Sequence, residues 1–167
     1  MHFNTYGGAA AALAAELVNT DDVATAIRAN APSLPAPTAA EVAEIVEWTR
    51  RLRPVFGEAE PERQLGLVND LLDAAAARPR ISTHDGQPPH LHYHGTGDGL
   101  VDRVRAATAT GLAYVLCDEG GHRLGRCVND GCGRVFVDVS KGGRRHFCST
   151  RCANRVNAAL HRARTRH

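Results

Sequence analysis

Apolar positions recur with a helical period through most of residues 1–121. Residues 8–19 (GAAAALAAELVN) place Leu13, Leu17 and Val18 on one side and predict a first helix. Residues 31–37 (APSLPAP) are a Pro-rich break. Thr38 opens the next helix, with Glu41 three residues on, the pattern of a capping box. Val42, Ile45, Val46, Trp48 and Leu52 form its apolar face, and Pro54 ends it after Arg53. A third helix is predicted from Pro61, a residue suited to a first helical turn, to Ala77, with Leu65, Leu67, Val68, Leu71 and Leu72. A fourth runs from an N-cap at Asp98 to Gly120-Gly121, with Leu100, Val101, Val104, Ala107, Leu112, Val115 and Leu116 apolar. Gly111 lies inside that helix, which predicts a close approach by another element. Cys117, near its end, reads as a small core residue.

Between the third and fourth helices the texture changes. Residues 80–97 (RISTHDGQPPHLHYHGTG) carry turn residues and one alternating run, and predict a short hairpin or strand pair. Within it His90, His92 and His94 share a strand face, with His84, Asp98 and Asp102 close in sequence. Two readings stand side by side: a ligand or second-metal site, since histidines with a carboxylate suit Zn, Ni or Fe, or a polar strand face.

The chain's last part has a different logic. Cys127 and Cys132 flank VNDG, a turn-rich tetrapeptide that curls both sulfurs toward one point. Residues 134–138 (RVFVD) alternate as a strand, Lys141-Gly142-Gly143 turns, and residues 144–147 (RRHF) are expected to return as the second strand of a hairpin. Cys148 and Cys152 are four apart, so both sulfurs lie on one face of a helical first turn that Ser149 or Thr150 caps. Knuckle, hairpin and helix together read as a treble-clef-like zinc finger. The four cysteines offer S4 coordination of one structural Zn²⁺, and all four positions are filled by protein, so no bound water is activated. An Fe–S cluster is the alternative for four thiolates, and His146 is a second-rank candidate ligand. The final helix brings Arg151, Arg155, Arg162 and Arg166 within about 60° of one another, beside an apolar stripe of Val156, Ala159, Leu160 and Ala163.

Composition and charge sharpen this division. The net charge of +2 conceals nine Lys/Arg against two acids from Cys127 onward, a formal +7, and eleven basic against sixteen acidic residues before it, a formal −5. Such asymmetry points to a nucleic-acid-facing segment. Arg144 and Arg145 add to the positive surface, and guanidinium forks suit phosphates and guanine edges. The competing reading is a solvated charged face in an Arg-rich chain, in which nineteen of twenty basic residues are Arg. No run of about 18 apolar residues and no basic leader precede the helices, so a cytoplasmic protein without a membrane span is expected. With no Gly-rich phosphate loop, HExxH or nucleophile elbow, no enzymatic activity is expected.

The stretch CVNDGCGRVFVDVSKGGRRHFCSTRCANR resembles the CGNR-type zinc finger, through both cysteine pairs and through Phe136, Asp138, Ser140, Arg144, Arg145, Asn154 and Arg155. Ala153 stands where that family's name-giving glycine is found. More loosely, Leu17-Val18-Asn19-Thr20 and the Trp48 to Leu52-Arg53 stretch resemble the helical ABATE domain that usually precedes this finger. The resemblance implies a stress-responsive transcription regulator with a small-molecule-binding helical domain. The expectation is therefore a mainly α protein: a helical domain over 1–121 with a small β-hairpin, then a zinc finger over 122–167. DNA is the expected partner and a homodimer the expected active form, because one module leaves a small footprint. A protein-interaction or dimerisation module without DNA binding is the alternative. A metal-dependent enzyme built on His92 and His94 ranks third.

Overall fold

The computed structural model describes residues 5–30, 35–76, 78–82, 90–93 and 99–164. It is mainly helical, with helices α1 (Thr5–Asn19), α2 (Val23–Asn30), α3 (Ala39–Leu52), α4 (Pro61–Ala74), α5 (Leu100–Asp118) and α6 (Thr150–Arg164). The described residues also form two small antiparallel sheets, β1 (Arg80–Ser82) with β2 (His90–His92) and β3 (Leu124–Arg126) with β4 (Val135–Val137). No helix among the described residues is long and apolar enough to cross a membrane.

The sequence signals at α3 act as expected. Thr38 is the N-cap, its backbone N–H donating to Glu41 Oε2 at 2.8 Å while Glu41 N–H donates to Thr38 Oγ1 at 3.3 Å. Ile45, Trp48 and Leu52 are buried, but Val46 is exposed, since its neighbour Ile45 points inward and one residue turns the helix by about 100°. In α4, Val68 and Leu71 are buried and Leu65 is exposed; the helix stops at Ala74, short of the expected Ala77. The cap of α5 is Gly99, while Asp98 lies outside the described residues. Cys117 is exposed, not a core residue: it is about 140° around α5 from the buried Leu112. The strand pair expected over 80–97 is present as β1 and β2, in the register Ile81 opposite Leu91.

One helix has no counterpart in the expected elements. α2 buries Val23, Ala26 and Ile27, and Asp22 caps it by accepting the Thr25 N–H at 3.0 Å. Its i, i+3, i+4 spacing and the preceding Asp are legible, but two turns give little period to read.

The core has two adjoining clusters. One gathers Leu13, Leu17, Ile27, Ile45 and Val104 from α1, α2, α3 and α5. The other contains Ala11, Ala14, Trp48, Leu52, Phe56, Val68, Leu112 and Val115, and also Leu124, Val135 and Val137 of the β3–β4 hairpin. Trp48 Nε1 donates to Thr108 Oγ1 at 2.9 Å inside this core, and the Arg51 and Arg105 guanidiniums lie 5.4 and 5.9 Å from its ring. The helices α1 and α5 meet where Gly111 faces the Ala10–Ala11 backbone.

Candidate metal centre

The finger begins differently from the expected knuckle, hairpin, helix order. β4 pairs with β3, which precedes the first cysteine, and not with residues 144–147. Leu124, Val135 and Val137 are apolar and find burial against the helices, whereas RRHF carries two exposed arginines. The first cysteine pair thus sits in the connection between β3 and β4. There Cys127 N–H donates to Arg134 O at 2.9 Å and Cys132 N–H to Asn129 O at 2.7 Å, closing the knuckle. The returning segment bonds to the knuckle instead of to β4, with His146 O accepting the Val128 N–H at 3.0 Å. Ser149 caps α6, its Oγ accepting the Cys152 N–H at 3.3 Å.

These elements bring the ligand atoms of Cys127, Cys132, Cys148 and Cys152 within 4.8 Å of one another. Cys132 and Cys148 sulfurs are 3.6 Å apart, as are those of Cys148 and Cys152. Zn–S bonds of about 2.3 Å at tetrahedral angles put sulfurs roughly 3.8 Å apart, so the spacing fits one zinc ion. A disulfide would need about 2.05 Å, and a cluster of several irons would hold its cysteines farther apart. Four soft thiolates and no open position make the site structural: zinc would tie the knuckle to the start of α6 and activate nothing.

Before a metal displaces their protons, the sulfurs perturb one another. Burial, then the Cys132 and Cys152 sulfurs, push the Cys148 thiol up to about 12. The hydrogen bond that Cys148 donates holds Cys152 down, to about 7. Four thiolates cannot coexist here without a cation, so zinc affinity rises with pH as protons become easier to displace.

Behind the metal site lies a polar hub. Asp138 is buried, its Oδ1 accepting the Ser140 N–H at 2.9 Å and its Oδ2 the Arg145 N–H at 2.8 Å. Burial acts to raise its pKa, but the Ser140 hydroxyl and backbone, the Arg145 backbone and the Arg123 charge together hold it below its ordinary 3.8. The buried Arg123 guanidinium donates to Asp138 O at 3.0 Å, to Ser140 O, and to Glu119 Oε2 at 3.0 Å. Asp138→Asn replaces one acceptor oxygen by a donor facing an N–H, and is expected to cost about 2 kcal/mol at pH 7. The depressed pKa means this stabilisation is complete above pH 3.8 and is lost as pH falls through the lower folded value. Urea melts of both chains should therefore converge in acid; equal stability at pH 7 would contradict the hub.

The hub and knuckle are bolted to the helices. Asn19 Nδ2 donates to Val135 O at 2.8 Å and Asn19 Oδ1 accepts the Val135 N–H at 2.9 Å, so one side chain pairs with β4 as a neighbouring strand would. Arg53 donates to Gly133 O at 2.9 Å and to Val18 O at 2.7 Å. The buried Gln64 Nε2 donates to Val55 O at 2.9 Å and Gly121 O at 3.2 Å. None of the three stands out as a functional residue by type. Asn19 and Arg53 do fall in the two stretches that carry the looser resemblance.

The arginines separate into groups. Arg151 and Arg155 lie exposed on α6, and neither side chain forms a hydrogen bond or ion pair among the described residues. Arg144 and Arg162 are exposed, and Arg166 lies outside the described residues. Arg145 is engaged within the finger: its guanidinium is 4.7 Å from the Phe136 ring and donates to Phe147 O at 2.8 Å and to Cys148 O. His90 and His92 belong to β2, while His84 and His94 lie outside the described residues.

No curated protein matches the chain. Residues 123–165 match the family model of the CGNR zinc finger, and with its four gathered cysteines this segment is a zinc-binding CGNR finger.

Proposed function

We propose that the finger is the DNA-contacting module of a bacterial transcription regulator, with α6 delivering Arg151, Arg155 and Arg162 to the phosphate backbone or the major groove, and with Arg166, which follows α6 in sequence, as a further candidate contact. The observation that carries this is α6 itself. It has no buried residue, it is anchored at its first turn by Cys148 and Cys152, and it holds Arg151 and Arg155 exposed and unpaired. Arg144 stands beside it, and Arg145 acts on phosphate only through the finger it braces. In this reading the module is a treble-clef-like support, and residues 1–121 form an ABATE-like sensing domain for a small ligand. The bonds of Asn19 to β4 and of Arg53 to Gly133, next to the knuckle, would carry a ligand-induced shift of α1 or α3 to the finger. The protein works in the cytoplasm as a dimer and catalyses no reaction.

Fluorescence anisotropy of the zinc-loaded chain with duplex DNA across a salt series tests this. Binding should weaken with salt by about 0.9 in logarithmic slope per phosphate contact. An Arg155→Ala, Arg162→Ala chain should lose affinity on every sequence and roughly two contacts' worth of slope. No binding at low salt by metal-replete protein would end the DNA reading.

One observation favours a second reading. Val156, Ala159, Leu160 and Ala163 form a stripe on α6, with Val156 half-buried and Ala159, Leu160 and Ala163 exposed, Leu160 at 52%. A dimer or protein-partner contact along that stripe would make the finger an interaction module. Sedimentation of Leu160→Glu, set beside the DNA titration of the native chain, separates the two: the interaction reading expects assembly that needs the stripe and no DNA binding, whereas the DNA reading expects salt-dependent DNA binding by the native chain.

A further inference from the structure

A cleft of about 420 Å³ opens between the zinc knuckle and the first turns of α6. Three of the ligand cysteines, Cys132, Cys148 and Cys152, form its floor. Arg134 stands on the knuckle wall, and Arg151 and Arg155 on the helix wall. The two helical arginines are four residues apart, so their stems rise from one face on successive turns, about 6 Å apart. Arg134 comes from a different element and is not part of the α6 stripe that sequence periodicity picks out. All three are exposed, and among the described residues none of the three side chains has a hydrogen-bond or ion-pair partner. No carboxylate lines the cleft.

We infer that this cleft is a phosphate-binding notch, in which Arg134 closes on one phosphate group from the knuckle side while Arg151 and Arg155 hold it from the helix. Charge and shape both favour that occupant. Zn²⁺ with four thiolates carries a formal 2−, which the three guanidiniums at 3+ exceed, so the notch stays positive with the metal in place. Each guanidinium offers a planar fork of donors matched to phosphate oxygens, and three forks from two walls outnumber what the two oxygens of a carboxylate can accept in one plane. A tetrahedral phosphate presents oxygens in both directions. The volume exceeds what one ion among four sulfurs fills, so the cleft extends beyond the metal site toward the three arginines. The knuckle and the start of α6 carry the cysteines that would hold zinc, so bound metal would fix these two walls relative to one another.

This rests on the DNA reading only for the source of the phosphate, which is either a backbone phosphodiester or a free phosphate or phosphomonoester. The test therefore begins without DNA. The zinc-loaded full chain, ¹⁵N-labelled, is titrated with inorganic phosphate at constant ionic strength, and the arginine Nε–Hε resonances are followed. Saturable shifts at Arg134, Arg151 and Arg155 are expected, with binding at least about tenfold weaker in Arg134→Ala. Arg134→Lys should recover only part, since it keeps the charge and loses the fork. Arg28→Ala, on the exposed side of α2, should bind as the native chain does. Duplex DNA is then added to the phosphate-loaded protein. Release of phosphate identifies the backbone as the source, and retention of phosphate on DNA-bound protein identifies the free anion. Shifts that never saturate, that spread equally to Arg28, or that survive Arg134→Ala with unchanged affinity overturn the notch. Loss of the DNA reading would instead appear as no anisotropy change with duplex, while the phosphate titration stands or falls by itself.

Discussion

Cys127→Ser, or removal of zinc by a chelator at neutral pH, is expected to unfold α6 and the knuckle while leaving the helical core and the β3–β4 hairpin in place. The expectation follows from where each element finds its stabilisation. α6 has fifteen residues and buries none of them. An isolated helix of that length is marginal in water, and most of its apolar stripe (Ala159, Leu160 and Ala163) is exposed. What holds it is the metal at its first turn, helped by Ser149 as cap and by Asn129, whose amide lies 3.7 Å from Cys152 Sγ. Structural zinc contributes on the order of 10 kcal/mol to modules of this type, comparable to the whole stability of a domain, so nothing local replaces it. The hairpin differs. Leu124, Val135 and Val137 sit in the main core, Asn19 pairs with β4, and Gly57 N–H donates to Leu124 O at 2.7 Å. Far-ultraviolet circular dichroism should lose about one helix's worth of signal. Amide resonances of α6 should collapse to random-coil positions while those of α1 and α5 persist. A chain that unfolds completely, or one that keeps α6 without metal, would refute this division.

Gly111→Ala is expected to destabilise the protein although alanine is the better helix former. A Cβ at Gly111 would lie 2.5 Å from the Ala11 nitrogen and 2.7 Å from the Ala10 carbonyl carbon, atoms of the α1 backbone that cannot swing aside. Helix propensity returns about 1 kcal/mol for Gly→Ala. Forcing two packed helices apart costs about 3 kcal/mol or more, because the apolar contacts along the whole α1–α5 seam loosen together. The net loss is about 2 kcal/mol or more, a fall in melting temperature of roughly 4–8 °C for a chain of this size. Gly66→Ala in α4 is the matched control. Nothing lies within 4 Å of its Cβ, so only propensity acts and a gain of up to about 1 kcal/mol is expected. The two substitutions are chemically identical and should change the melting temperature in opposite directions. If both stabilise, the close approach of α1 and α5 is not real.

Much of this architecture is legible along the chain, and the reasons differ by element. The capping box at Thr38 and Glu41, the Pro61 start of α4 and the Ser149 cap of α6 depend on neighbours within four residues, and all are in place. The cysteine quartet is legible because metal coordination constrains residue type and spacing together. Gly111 is legible as a warning of close approach, although nothing local says that α1 is the approaching helix. The exposed positions Val46, Leu65 and Cys117 mark the limit of such reading: hydrophobic type says that a residue tolerates burial, and only the packing of neighbours supplies it.

The partner of β4 shows the same limit at longer range. Alternation marks 134–138 as a strand, and Lys141-Gly142-Gly143 suggests a return over 144–147. The strand pairs backward with Leu124–Arg126 because those residues complete a buried apolar surface against α1 and α5, a gain no local pattern encodes. Arg145 is similar. As an arginine beside another in a basic stretch it looks like a DNA contact, but the Phe136 ring and the carbonyls of Phe147 and Cys148 draw its guanidinium into the finger.

By itself the sequence determined the helices long enough to show a period, their caps and the identity of the four zinc ligands, because each depends on residue types a fixed number of positions apart. Tertiary structure alone decided that the finger's hairpin shares the helices' core, that Asn19 pairs with β4 and Arg53 with Gly133, and that Arg134 lines one cleft with Arg151 and Arg155. Asn19 and Val135 are 116 residues apart, and a contact over that separation exists only because the core between them packs in one way.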